Sequence, residues 1–338
     1  MNKSYSSAMQ YLGLSHFILH IHLSQRLKSW LTEYKPDILY IQVSTRETIL
    51  FATELVDYLK IPTVIHMMDD WPSTISAGGL FSRYWRKKID KEFRVLLNKS
   101  NLYLSISDAM SSEYLRRYNR KFIAFHNPIE LPENMSRSNL QINNGEAFKI
   151  LYVGRIGTAN EHSIHFFANT ISNCIYENYN IQFDIYTPDF ESEKSKLIAN
   201  LKNIAVLPPV EHKAVPGLLK QYNLLLLPLD FTERGKKFAQ YSIPTKASEY
   251  MISGTPILVF APAETAVSSF FRYHECGYCL AQQSEQAIRD ALLVLINNKE
   301  YRNRISNNSV KVAAKLFNAT EVREKFQDLL RKLAFAEI

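Results

Sequence analysis

The sequence predicts two doubly wound α/β domains in one chain, and three observations carry that prediction. Short β-rich runs alternate with helical ones almost throughout, the pattern of βαβ units and a parallel sheet. A stretch rich in Pro, Asn, Ser and Gly, residues 130–146, interrupts the alternation as an exposed linker. Beyond it the alternation restarts with a fresh strand, Phe148-Lys-Ile-Leu-Tyr-Val153. At 338 residues there is chain enough for two domains of ordinary size, 1–140 and 147–318.

In the first half, segments 37–43, 62–66, 101–106 and 122–125 read as buried strands, with helices over 47–59, 81–97 and 108–118 between them. In the second half, strands are expected at 148–153, 181–186, 204–207, 224–227, 257–260 and 277–280. The start departs from this scheme. A doubly wound domain normally opens with a strand and a glycine-containing loop, whereas here a polar segment leads into a helix over about 15–34. The expectation is an N-terminal domain without its first strand.

Composition narrows the function classes. With 46% hydrophobic and 22% charged residues the chain is globular, and no window holds the roughly 18 uninterrupted apolar residues of a membrane span. The first 14 residues lack the basic and apolar regions of a signal peptide, and three cysteines fit a reducing compartment. A cytoplasmic location is therefore expected. Cys276-Gly-Tyr-Cys279 has CxxC spacing but no second Cys/His pair and no helix behind it, so a structural role is favoured. The net charge of +7 suits anionic partners such as nucleoside diphosphates, lipid pyrophosphates or anionic membranes. Nothing resembles a nucleic-acid signature, and no nucleic-acid partner is expected.

The most informative segment is Tyr241-Ser-Ile-Pro-Thr-Lys246-Ala-Ser-Glu249-Tyr-Met-Ile-Ser-Gly254-Thr-Pro256. Ser242 suits an N-cap, Pro244 the first helical position and Gly254 the left-handed position after the last turn, while Pro256 prevents continuation. Ala247, Tyr250 and Met251 can face the core. Lys246 and Glu249, three apart, share a face. A helix start carrying Ser242, Thr245 and Lys246 favours a phosphate, and Glu249 one turn on can accept from hydroxyls. Diphosphate plus hydroxyls suggests a nucleotide sugar.

Three further places carry potential chemistry. Arg155, in Val153-Gly-Arg155-Ile-Gly157, falls where a strand delivers side chains to the carboxyl edge of its sheet and can clamp a diphosphate. Lys236, in Arg234-Gly-Lys236-Lys237, is expected in a loop as a second phosphate contact or as part of a solvated charge run. His66 ends a strand in the other domain, followed by Asp69 and Asp70, which could orient it or meet an acceptor hydroxyl. No metal site is expected, because no second ligand cluster accompanies these acids. The segment 81–94 mixes aromatic and basic residues at helical spacing, which fits either an anionic membrane surface or a solvated basic face.

Taken jointly, these residues resemble the retaining GT-B glycosyltransferases of family 4. The matching pieces are His66, Ile106-Ser-Asp108-Ala-Met110, His126-Asn-Pro128, Val153-Gly-Arg155, Ser242-Ile-Pro-Thr-Lys246, Glu249-Tyr-Met251 and Gly254-Thr-Pro256. The Pro-x-Lys-x-x-Glu-Tyr form is most similar to members that build bacterial surface polysaccharides. The resemblance implies two Rossmann-like domains facing a central cleft, a donor bound by the second, and a C-terminal helix within 319–338 packing back on the first. It implies that Glu249 binds the donor ribose, Arg155 stabilises the leaving diphosphate and His66 contacts the sugar, with no cofactor and no metal. Three departures stand out: Tyr241 where a first glutamate is usual, Asn160 where a lysine usually follows the arginine, and the missing opening strand and loop.

The reading is a cytoplasmic, retaining, metal-independent hexosyltransferase that moves a sugar from a nucleotide donor to a saccharide or polyprenyl-linked acceptor in surface polysaccharide synthesis, with peripheral contact at the inner face of the membrane as an option. The alternative is a non-catalytic GT-B partner of an active transferase.

Overall fold

The computed structural model describes residues 15–75, 79–131, 147–173 and 180–335. They form two compact units, one of residues 1–126 with 323–338 and the other of residues 127–322. Residues 1–14, on which the expectation of a missing first strand turns, lie outside the described residues, as does most of the 130–146 linker.

The first unit holds four parallel strands in sequence order: β1 (Leu39–Ile41), β2 (Thr63–Met67), β3 (Leu102–Ser105) and β4 (Ile123–Ala124). β2 is buried along its whole length, as expected of a parallel strand covered on both faces. Between the strands run helices Arg46–Leu59, Ser82–Asn98 and Asp108–Tyr118. Their starts follow from sequence: Thr45 forms a reciprocal cap with Thr48, and the Ser107 hydroxyl accepts from the Met110 amide. The expected helix over 15–34 is two pieces, Ser15–Ile18 and Gln25–Tyr34, because Ser24 caps a new start. The C-terminal helix Ala319–Ala334 brings Phe326 against Tyr40 and Phe125, with ring centroids 5.7 and 5.8 Å apart.

The second unit is a six-stranded parallel sheet in the order β10-β9-β8-β5-β6-β7. Its strands are β5 (Phe148–Val153), β6 (Ile181–Tyr186), β7 (Ile204–Leu207), β8 (Leu224–Pro228), β9 (Ile257–Phe260) and β10 (Tyr278–Leu280). β8 and β9 are buried throughout, and Tyr152, Phe167, Phe183, Leu226 and Phe260 belong to one hydrophobic core. The chain builds outward from β5 through β6 to β7, then returns to lay β8 on β5's other edge. That reversal opens a crevice past the carboxyl ends of β5 and β8, where open α/β sheets take ligands. Among the described strands the first sheet has no such reversal. No described helix is long and apolar enough to cross a membrane.

Candidate functional site

The loops that leave β5 and β8 are tied together at this crevice. The Asp230 amide donates to the Ala159 carbonyl at 2.7 Å, and the buried Asp230 carboxylate accepts from the Ser163 amide at 3.0 Å. Asp230 also pairs with His162 Nδ1 at 3.1 Å, while the imidazole itself stays largely exposed. The first turn of helix Glu161–Asn173 is thus held by a protein carboxylate.

The helix of the informative segment runs Lys246–Ser253. It begins later than the sequence suggests. Ser242 lies outside it, and Pro244 sits just before it, accepting from the Ala247 amide at 2.8 Å. The residue ahead of a proline is pushed out of helical geometry, so Ile243 cannot continue a helix begun at Ser242. Thr245 takes the N-cap position but makes no side-chain cap bond. The other end is as expected: Gly254 closes the helix at φ 73°, and Ala247, Tyr250 and Met251 are buried.

Tyr152, on β5, joins this helix to the Gly-Arg loop. Its hydroxyl donates to the Arg155 carbonyl at 2.6 Å and accepts from Lys246 Nζ at 2.8 Å and Asn160 Nδ2 at 2.7 Å. Asn160 also donates to the Arg155 carbonyl at 3.1 Å and accepts from the Gly157 amide at 3.0 Å. The Lys246 ammonium lies 4.2 Å from the Tyr152 ring centroid, over its face. Gly154 makes that approach possible: its φ of 141° is one that other residues rarely adopt, and a Cβ there would overlap Lys246 Nζ. Burial lowers the Lys246 pKa from 10.5 to about 7, against a weaker upward pull from Glu249. A second phenol, Tyr250, pins the helix to β5 by accepting from the Val153 amide at 2.8 Å.

The other expected site residues are distributed as follows. Arg155 is exposed on its loop, with its backbone fixed by the bonds above. Glu249 is 37% exposed, and its Oε1 lies 3.6 Å from Nε2 of His212, a neighbour that sequence alone did not suggest. Thr245 is exposed. Lys236 is not in a loop but in helix Glu233–Ala239, which Thr232 caps. Its ammonium is already met by Glu264 at 3.2 Å and Glu233 at 3.8 Å.

In the first unit, His66 is buried on β2, and burial takes its pKa down to about 4, so the imidazole is neutral at physiological pH. Its Nδ1 lies 2.7 Å from the Tyr40 hydroxyl, which itself accepts from Gln42 at 2.9 Å. With Tyr40 donating to Nδ1, the imidazole hydrogen is assigned to Nε2, a buried atom with no hydrogen-bond partner among the described residues. The partner that orients His66 is therefore Tyr40. Asp70 is 2% exposed and holds four bonds: two from Arg117 at 2.9 Å, one from Tyr114 at 3.0 Å and one from Ser73 at 2.7 Å. Those fill a carboxylate's capacity and make Asp70 an anchor between elements rather than a contact for a hydroxyl. Asp69 is exposed.

Helix Ser82–Asn98 resolves the mixed aromatic and basic segment into two faces. Trp85 is 2% exposed and packs beneath Arg46, so it belongs to the core and not to an interface. Phe81 and Tyr84 are about half exposed, beside the exposed Arg83, Arg86, Lys87 and Lys91. Cys276 and Cys279 are free thiols whose pKa values burial pushes up to about 12 and about 11, which fits the structural role. Among the described residues, no three His, Cys, Asp or Glu side chains gather at metal-binding spacing.

Comparison with known proteins accords with this architecture. Residues 147–298 match the model of the family glycosyl transferases group 1. No curated protein matches the chain by sequence. Among solved structures, Anabaena HepE in complex with UDP and glucose superposes with a TM-score of 0.65 at 12% identity, over 92% of this chain and 84% of that one. Sucrose-phosphate synthase from Thermosynechococcus elongatus gives 0.69 at 14% identity, over 92% and 77%. The lipopolysaccharide outer core galactosyltransferase WaaB gives 0.56 at 15% identity, over 100% and 83%. Residues 147–298 of the second unit thus match the glycosyl transferases group 1 family, in a chain with the fold of the GT-B glycosyltransferases.

Proposed function

We propose that the chain is a retaining, metal-independent hexosyltransferase that takes a sugar from a nucleoside-diphosphate donor and adds it to a lipid-linked saccharide of a surface polysaccharide. One observation carries this reading: Arg155, Lys246 and Glu249 belong to two segments, the Gly-Arg loop and a helix, that Tyr152 joins at the carboxyl end of β5. Arg155 presents a planar fork suited to a diphosphate, and Lys246 supplies a second positive charge as the leaving group develops its own. Glu249 accepts from the ribose hydroxyls. Thr245, at an uncapped helix start, adds to the phosphate-binding end. His66, which the resemblance implies as a contact for the sugar, belongs to the first unit. Among solved structures, HepE with UDP and glucose favours UDP as the first nucleotide to try. WaaB, a lipopolysaccharide galactosyltransferase, favours a cell-surface acceptor.

The exposed Leu80, Phe81 and Tyr84 beside Arg83, Arg86 and Lys87 suit the anionic inner face of a membrane, where a lipid-linked acceptor resides. A thermal-shift screen with UDP, GDP, dTDP and CMP sugars tests the donor reading. One class should raise the melting temperature of the wild-type protein and not of Glu249→Ala. If none does, the reading fails. The second reading, a non-catalytic partner, is favoured by Asn160, whose amide is used in internal bonds at a position where the resemblance implies a lysine. Binding without hydrolysis or transfer would select it.

A further inference from the structure

The loop after β5 lacks the lysine expected at position 160, yet its Asn160 is buried and bonded to three groups that shape the site. One of them, the Tyr152 hydroxyl, is also the sole hydrogen-bond partner of Lys246 Nζ among the described residues. We propose that Tyr152 and Asn160 are positioning residues that hold the Lys246 amine beside Gly154, as the second cation of the nucleoside-diphosphate site. The inference rests on the donor reading above.

The geometry favours positioning over simple packing. An apolar core needs no phenol with three hydrogen bonds, and each of these three reaches a group of the proposed donor site: the Arg155 carbonyl, Asn160 and Lys246. Gly154 leaves the space the amine occupies, at a φ of 141° that other residues rarely adopt. Placing the cation on the helix rather than in the loop joins the two segments that would grip the diphosphate.

The arrangement has a consequence that packing alone would not produce. The groups bearing on the amine are Tyr152 from β5 and Glu249 from its own helix; Tyr250 and Asp189, beyond β6, act on Tyr152, and Arg155 is exposed on the loop. Among the described residues no carboxylate bonds to the amine, and burial brings its pKa to about 7, so near neutral pH a substantial share of the unliganded molecules carries it uncharged. A diphosphate beside it favours the charged form. Binding should therefore take up about half a proton at pH 7, rising towards one near pH 8.5. The proton comes from solvent and goes to Lys246 Nζ.

Isothermal titration of UDP, GDP and dTDP in two buffers of different ionisation enthalpy measures that uptake directly on the wild-type protein. Tyr152→Phe removes only the hydroxyl. It should weaken nucleotide binding about tenfold, with a melting temperature that separates this loss from misfolding. Lys246→Met should weaken it as well and abolish the proton uptake. If a nucleotide binds the wild-type protein without proton uptake, or Tyr152→Phe binds it as well as wild type, the inference is wrong while the donor reading stands. If no nucleotide binds, the donor reading falls and takes the inference with it.

Discussion

Lys246 is where function and stability pull against each other. Its pKa is lowered in the folded protein, so the unfolded chain binds a proton that the native state releases. Stability therefore rises with pH between about 7 and 10.5, and the penalty for burying the amine is complete below pH 7. Lys246→Met loses the Tyr152 hydrogen bond, which offsets part of the relieved penalty, and should still raise the melting temperature at pH 6.5 by at least about 2–4 °C, the response of a domain this size to ~1 kcal/mol, while nucleotide affinity falls. A lower melting temperature, or one that stays higher by the same amount up to pH 10.5, would count against the burial argument. For the wild-type protein the same titration predicts that nucleotide affinity drops by about tenfold per pH unit above pH 7. Gly154→Ala should damage binding as severely as Lys246→Met, because its Cβ claims the space of the amine on a backbone that resists any side chain.

Among elements, the strands were the most legible part of the chain. All ten strands expected from sequence are present, since parallel strands covered on both faces are written as unbroken apolar runs such as Leu224-Leu-Leu-Leu227. Helix starts at Thr45 and Ser107 were equally plain, each with a side-chain oxygen that accepts from an amide three residues on. The ties between elements were not legible. Lys246 meets Tyr152 across 94 residues and His162 meets Asp230 across 68, and no local pattern marks either pair. Asp70 shows the same limit from the other side. As half of an Asp-Asp pair after a strand it suggested an acceptor contact, but Arg117, 47 residues on, holds it with two bonds. Asp70→Ala should destabilise the first unit by about 3 kcal/mol, the scale for breaking a buried ion pair. Chemical denaturation of the variant measures it; an unchanged midpoint with a raised acceptor KM would restore the acceptor role.

For the whole molecule, the chain pairs a complete doubly wound sheet, with its own ligand crevice, and a four-stranded sheet that bears a basic, partly apolar helix. If that helix rests on anionic lipid, reversing Arg83 and Lys87 to Glu together should lower binding to phosphatidylserine-containing vesicles by more than about tenfold. Nucleotide affinity should not change. Equal vesicle binding would assign the charges to a solvated face. In the second unit, the Gly-Arg loop and helix Lys246–Ser253 are proposed to hold a nucleoside diphosphate. The most direct measurement is calorimetric titration of UDP, GDP and dTDP into the wild-type protein and into Glu249→Ala. One nucleotide should bind the wild-type protein saturably and 1:1, and the variant at least about tenfold more weakly. Absence of binding, or equal binding to both proteins, would contradict this.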